Sequence, residues 1–186
     1  MKIISTLILI LLSFAAAAQS WLDDKCPDLD VEVNVVDFET SKERNVLDIL
    51  INQSDEIVIN GEVKPRLNSE IPFKEYVLEF VTNPNNQNTK AESPSKVFIK
   101  LYSYNKTSTK LEKFDIYIKE VYLYIWNSEA DAKYQLAYGD LSCKRRAKIA
   151  SEFPLRIVSE ETKKNLNKPP SNRIGLPPFG GDVKKE

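Results

Sequence analysis

From Val46 to Val63 the chain reads VLDILINQSDEIVINGEV. Leu47, Ile49 and Ile51 fall on one side of an extended chain, and Ile57 and Ile59 can match them on the return. The polar Gln53-Ser54-Asp55 separates the two runs, which predicts a β-hairpin, with Asn60-Gly61 closing the second strand or making a bulge. After Asn68-Ser69, an N-cap pair, Phe73, Val77, Phe80 and Val81 recur at helical spacing, with Pro72 tolerated in the first turn. Asn83-Pro84 ends that helix, and residues 83–96 read as a polar loop. Val97–Tyr104 (VFIKLYSY) is β-branched and aromatic, hence a third strand, and Asn105–Lys113 reads as a connector. From Phe114 to about Tyr138 the pattern is again helical: Ile118, Tyr122 and Ile125 form a stripe flanked by Phe114, Val121 and Leu136, and Gly139 offers a left-handed cap. A short basic helix over Ser142–Ser151 and a last strand over Leu155–Val158 complete the pattern. Upstream, Val31, Val33 and Val35 alternate with polar residues as in an edge strand, and Thr40–Glu43 is a polar break.

The resulting order is β-β-α-β-α-β. It predicts an α+β fold in which two main helices cover one face of a small mixed sheet. The flanks differ in kind. Ile3–Ala18 is apolar and ends in four alanines, and a helix of that length spans about 24 Å against a hydrocarbon core of about 30 Å. Residues 1–18 are therefore expected to be a cleaved signal peptide, with a retained membrane anchor as the alternative. Residues 19–43 form an N-terminal arm, 44–161 the domain, and 162–186 a Pro/Gly-rich flexible tail.

Composition narrows the chemistry. The formal net charge is -1, which argues against nucleic acid as a partner, and Lys144-Arg145-Arg146 reads as a solvated helix face. There is no histidine, so Ser-His-Asp and Cys-His nucleophile pairs and the usual zinc ligands are missing. No Gly-rich phosphate loop follows a strand. No cofactor or metal is expected, and nothing in the spacing points to an enzyme. Cys26 and Cys143 are the two cysteines. In an oxidising compartment they are expected to join, with two unpaired thiols as the alternative.

The run ERNVLDILINQSDEIVINGE, a helix ending EFVTNPNN, then ESPSKVFIKLYSYN, KFDIYIKEVYLYIWNSEADAKYQLAYGDL and EFPLRIVSEE together resemble the periplasmic domain of the ExbD/TolR biopolymer-transport family, in its long variant. The resemblance covers Glu43–Glu161. Each motif is weak, and their order and spacing are what is specific. It implies a dimeric periplasmic domain that touches TonB-like or peptidoglycan-binding partners and works beside ExbB-like subunits. The chain departs from the family where the proton chemistry lies, because Ile3–Ala18 holds no Asp or Glu.

The expected function is that of a non-enzymatic periplasmic ExbD-like accessory protein of a TonB/Tol-type energy-transducing complex. It would bind an ExbD-like, TonB-like or ExbB-associated partner by edge-strand addition, as a homo- or heterodimer, with peptidoglycan as a further surface. Asp48, Leu50, Val58 and Asn60 on the hairpin, and Val97, Ile99 and Leu101 on the third strand, are the candidate contact residues. Pro169–Phe179 in the tail is a second candidate. A membrane-anchored motor subunit that keeps residues 3–18 is the first alternative. A periplasmic carbohydrate-binding or hydrolytic protein using Asp115, Glu120, Glu129 and Asp131 of the long helix is the second.

Overall fold

The computed structural model describes Cys26, Val33, residues 35–105 and residues 109–158. Helix α1 is Val35–Glu39, strand β1 Val46–Ile51, β2 Ile57–Ile59, β3 Glu62–Val63, helix α2 Glu70–Thr82, strand β4 Phe98–Ser103, helix α3 Thr109–Tyr134, helix α4 Cys143–Glu152 and strand β5 Ile157–Val158. The five strands form one mixed sheet in the order β3-β2-β1-β4-β5. Strands β1 and β2 are antiparallel, as are β2 and β3, whereas β1–β4 and β4–β5 are parallel. Each parallel step needs a crossover, and α2 supplies the first while α3 and α4 supply the second.

The expected α+β layer is thus the observed one. Leu47, Ile49, Ile51, Ile57, Ile59, Ile99 and Leu101 are buried in one core with Phe73, Val77, Phe80 and Val81 of α2 and Phe114, Ile118, Tyr122 and Ile125 of α3. Phe73 joins the two helices, edge-on to Phe114 at 4.5 Å. Phe98 is the exception on β4. It turns to the opposite face and is covered there by Phe38 of α1 at 5.6 Å and by the Arg156 guanidinium at 5.0 Å.

Several expectations are corrected. Val35 opens a helix, so the alternation through Val33 does not continue as a strand; Val31 lies outside the described residues, as do 1–18 and 162–186 with Pro169–Phe179. The hairpin carries an extra strand, because Asn60 and Gly61 both take positive φ (49° and 83°) and so make the two-residue turn that folds β3 back on β2. Ser69 is the N-cap of α2, but its hydroxyl makes no cap bond. Strand β4 begins at Phe98, and Val97 before it is core. The connector after β4 is shorter than expected, since α3 begins at Thr109.

The long helix also stops early. Gln135, at φ 56°, takes the left-handed position assigned to Gly139, and its N–H bonds to Asp131 O at 2.9 Å. The reason is tertiary: Tyr138 turns back to stack on Trp126 at 5.1 Å, which a continued helix would prevent. Leu136 is left exposed.

Arg146 is buried, not solvated. Its Nε donates to Leu141 O at 3.1 Å and its Nη2 to Gly139 O, satisfying carbonyls that the turn before α4 leaves open. The bond between Cys26 and Cys143 is present, with Cα atoms 5.4 Å apart.

Among the described residues two buried side-chain atoms lack a hydrogen-bond partner, Asp48 Oδ1 and the Tyr122 hydroxyl, and the second lies in the core. The Tyr122 hydroxyl is out of solvent with no hydrogen-bond partner among the described residues, and burial pushes its pKa up. Removing an unpaired buried hydroxyl without changing the ring relieves a desolvation cost of about 1–3 kcal/mol. Tyr122→Phe is therefore expected to raise stability by about 1 kcal/mol, read as a higher urea midpoint at unchanged slope.

Candidate functional site

Helices α2 and α3 cover one face of the sheet and α1 only the Phe98 end of the other, so candidate contacts belong to the rest of that other face and to the edges. Register organises that other face into two rows. Val63 on β3 lies opposite Val58 on β2, Val58 opposite Leu50 on β1, and Leu50 opposite Tyr102 on β4, which gives an apolar row across four strands. Beside it runs a polar row: Asp48 opposite Lys100, and Lys100 opposite Val158. Asn60 closes the polar row at the β2 end. It accepts from Asp48 N–H through Oδ1 at 3.0 Å and donates its own N–H to Asp48 O at 2.9 Å.

Lys100 is the electrostatic centre of this face. Its ammonium contacts Asp48 Oδ2 at 2.7 Å and lies 4.4 Å from the centre of the Tyr102 ring. Burial works against the charged lysine, and the Asp48 carboxylate outweighs it, so the Lys100 pKa is held above its ordinary value of 10.5. Burial, with help from the Asp48 charge, pushes the Tyr102 phenol up. Asp48 Oδ1 is out of solvent and finds no donor among the described residues.

Of the residues expected to meet a partner, Asp48, Leu50, Val58 and Asn60 come together here. Val97, Ile99 and Leu101 do not: all three are buried in the core beneath the helices. Strands β1 and β4 are each paired on both sides, so neither offers an open edge as expected. The outer strands are β3 and β5. Val63 is 45 % exposed. Lys64 N–H bonds back to Ile57 O at 2.8 Å, so by the alternation of an antiparallel ladder the Val63 N–H and carbonyl point away from β2. Pro65, with no N–H, ends the open edge. Next to it a depression of about 390 Å³ is lined by Lys64, Pro65, Leu67, Pro72, Glu75 and Tyr76 among others, with the Tyr76 phenol raised by burial.

The long-helix carboxylates are spread over surface ion pairs. Asp115 meets Lys119 at 2.6 Å, Glu120 meets Lys74 at 2.6 Å and Glu129 meets Lys133 at 2.9 Å. Among the described residues no group of three or more His, Cys, Asp or Glu is placed to hold a metal ion, and no helix is long and apolar enough to cross a membrane.

At the far end of the sheet Glu92 takes Lys42 on one oxygen at 2.6 Å and Lys96 on the other at 2.7 Å. The two lysines bring its pKa down from 4.5 to about 2. A depressed carboxylate contributes stability that is present above its unfolded value and lost as pH falls through its folded one. The contribution of Glu92 is therefore expected to fade between about pH 4.5 and pH 2. Thermal midpoints of the wild type and Glu92→Gln should converge across that window and differ above it.

Compared with protein-family models, with curated proteins and with solved structures, the chain matches none of them.

Proposed function

We propose that this chain is a non-enzymatic, exported partner-binding domain that accepts an extended segment of another protein along β3. The observation that carries the reading is the open edge at Val63. Its outward N–H and carbonyl supply main-chain hydrogen bonds, the apolar row behind it supplies a surface, and the depression beside Tyr76 supplies a pocket for an alternate side chain. The Cys26–Cys143 bond fits an oxidising compartment. The resemblance to ExbD/TolR periplasmic domains supplies the setting: an accessory of a TonB- or Tol-type energy-transducing complex in the periplasm, with an ExbD-like or TonB-like protein as the partner.

The test uses the full chain in cells with Val63 replaced by p-benzoylphenylalanine, and a control with the same residue at Tyr124, exposed on α3. One discrete adduct from position 63 and none from position 124 is the expected result, with the adduct containing a component of such a complex. Val63→Pro leaves the ladder to β2 intact, because the lost N–H points outward, and should weaken binding of the captured partner about tenfold, the worth of one main-chain hydrogen bond. Equal labelling from both positions, or none from position 63, would overturn the edge reading.

A further inference from the structure

We infer that the depression at the N-terminal ends of the parallel strands is a binding site for a small molecule bearing a carboxylate. It measures about 380 Å³, and its floor is Phe98. Asn45, Lys42, Lys96 and Arg156 also line it, as do the acids Glu92 and Asp37.

Two features mark it as built to receive a ligand. The first is Asn45, only 3 % exposed. Its Oδ1 accepts from Glu92 N–H at 2.8 Å. Its Nδ2 has no acceptor among the described residues and is not one of the side-chain atoms shut off from solvent, so its N–H groups open to the depression. The second is Arg156. Its guanidinium lies over the Phe98 ring at 5.0 Å, and Nη1 is held by Ser95 O at 2.8 Å. A guanidinium held over a ring and by one carbonyl has further N–H groups with which to meet a planar, two-oxygen acceptor.

Charge selects the same ligand class. Lys42 and Lys96 are matched to Glu92, and Asp37 and Arg156 also line the depression, so three cations stand against two carboxylates. One further negative charge neutralises the site. A carboxylate fits this better than a phosphate, because it brings one charge and two coplanar oxygens.

The test is a titration of the isotope-labelled full chain with N-acetylglycine, followed by the Asn45 side-chain amide and the Arg156 Nε–H in NMR spectra. Saturable shifts at both groups are expected, with none from N-acetylglycinamide, which lacks only the charge. Asn45→Asp keeps the acceptor for Glu92 N–H while it removes the donor. It should weaken binding by about tenfold or more with an unchanged backbone spectrum. Arg156→Lys, which keeps the charge and loses the fork, should do the same. Equal shifts from the amide, no saturation, or binding untouched in both variants would overturn the assignment. So would inorganic phosphate binding as tightly as the carboxylate, which would mark a site for any anion.

Discussion

Phe73→Ala is expected to cost about 3–5 kcal/mol, as large aromatic truncations in cores do. Phe73 has no solvent exposure. Its ring meets Phe114 at 4.5 Å and Tyr117 at 6.3 Å, so it is the joint between α2 and α3. Alanine would remove both ring contacts, worth about 0.5–1.5 kcal/mol each beyond burial, and leave a void that two helices tied to separate strands cannot close. Domains of this kind hold about 5–15 kcal/mol in all, so the variant should sit near its unfolding threshold. The measurement is a denaturant midpoint, with Ile71→Ala as the control. Ile71 lies two residues away on the same helix and is 69 % exposed, and its truncation should stay within about 0.5 kcal/mol. Equal losses for the two would mean that α2 is not packed as described.

Helix α2 is also where sequence and structure agree best, and the reason is that its signals are local. Pro72, the apolar spacing from Phe73 to Val81 and the left-handed Asn83 all lie within fourteen residues. The errors lie where distant contacts decide. The early end of α3 depends on Tyr138 reaching Trp126, which no window around Gly139 displays. Arg146 reads as part of a basic surface run, and only the open carbonyls of Gly139 and Leu141 explain its burial. Strand β3 has two residues and thus no period to read; its one signal was Asn60-Gly61.

The candidate face was half legible for a related reason. Alternation along VLDILI placed Leu47, Ile49 and Ile51 inward, and hence Asp48 and Leu50 outward. The same alternation along FIKLYS sends Lys100 and Tyr102 outward with them. Choosing Val97, Ile99 and Leu101 as contacts took the apolar parity, which is the core parity once helices cover one side. The strand order was beyond local reading, because β1 and β4 pair in parallel between residues 52 apart in sequence, such as Asp48 and Lys100. That pairing is what removes both strands from the sheet edge.

Cys143→Ser is expected to destabilise the chain by about 2–5 kcal/mol. The bond closes a loop of 117 residues, for which loop entropy alone gives about 5 kcal/mol, an upper figure where the unfolded chain keeps structure. The folded side of the balance should change little. Helix α4 begins at Cys143 and is held independently by Arg146 on the carbonyls before it, by buried Ile149 and by Glu152 against Lys133 at 2.5 Å. The loss should therefore appear as a lower urea midpoint, with α4 still ordered in the native state. Reduced wild type and the Cys26→Ser, Cys143→Ser double variant should match the single variant, since one bond is removed in each. This measurement also bears on export. Protein taken from cells should be lighter by the two hydrogens of one disulfide and should lose stability on addition of a thiol reductant. If the native protein carries free thiols and reductant changes nothing, the bond does not form where the chain works. The compartment argument for a periplasmic partner then falls, while the open edge at Val63 stands or fails by its own crosslink.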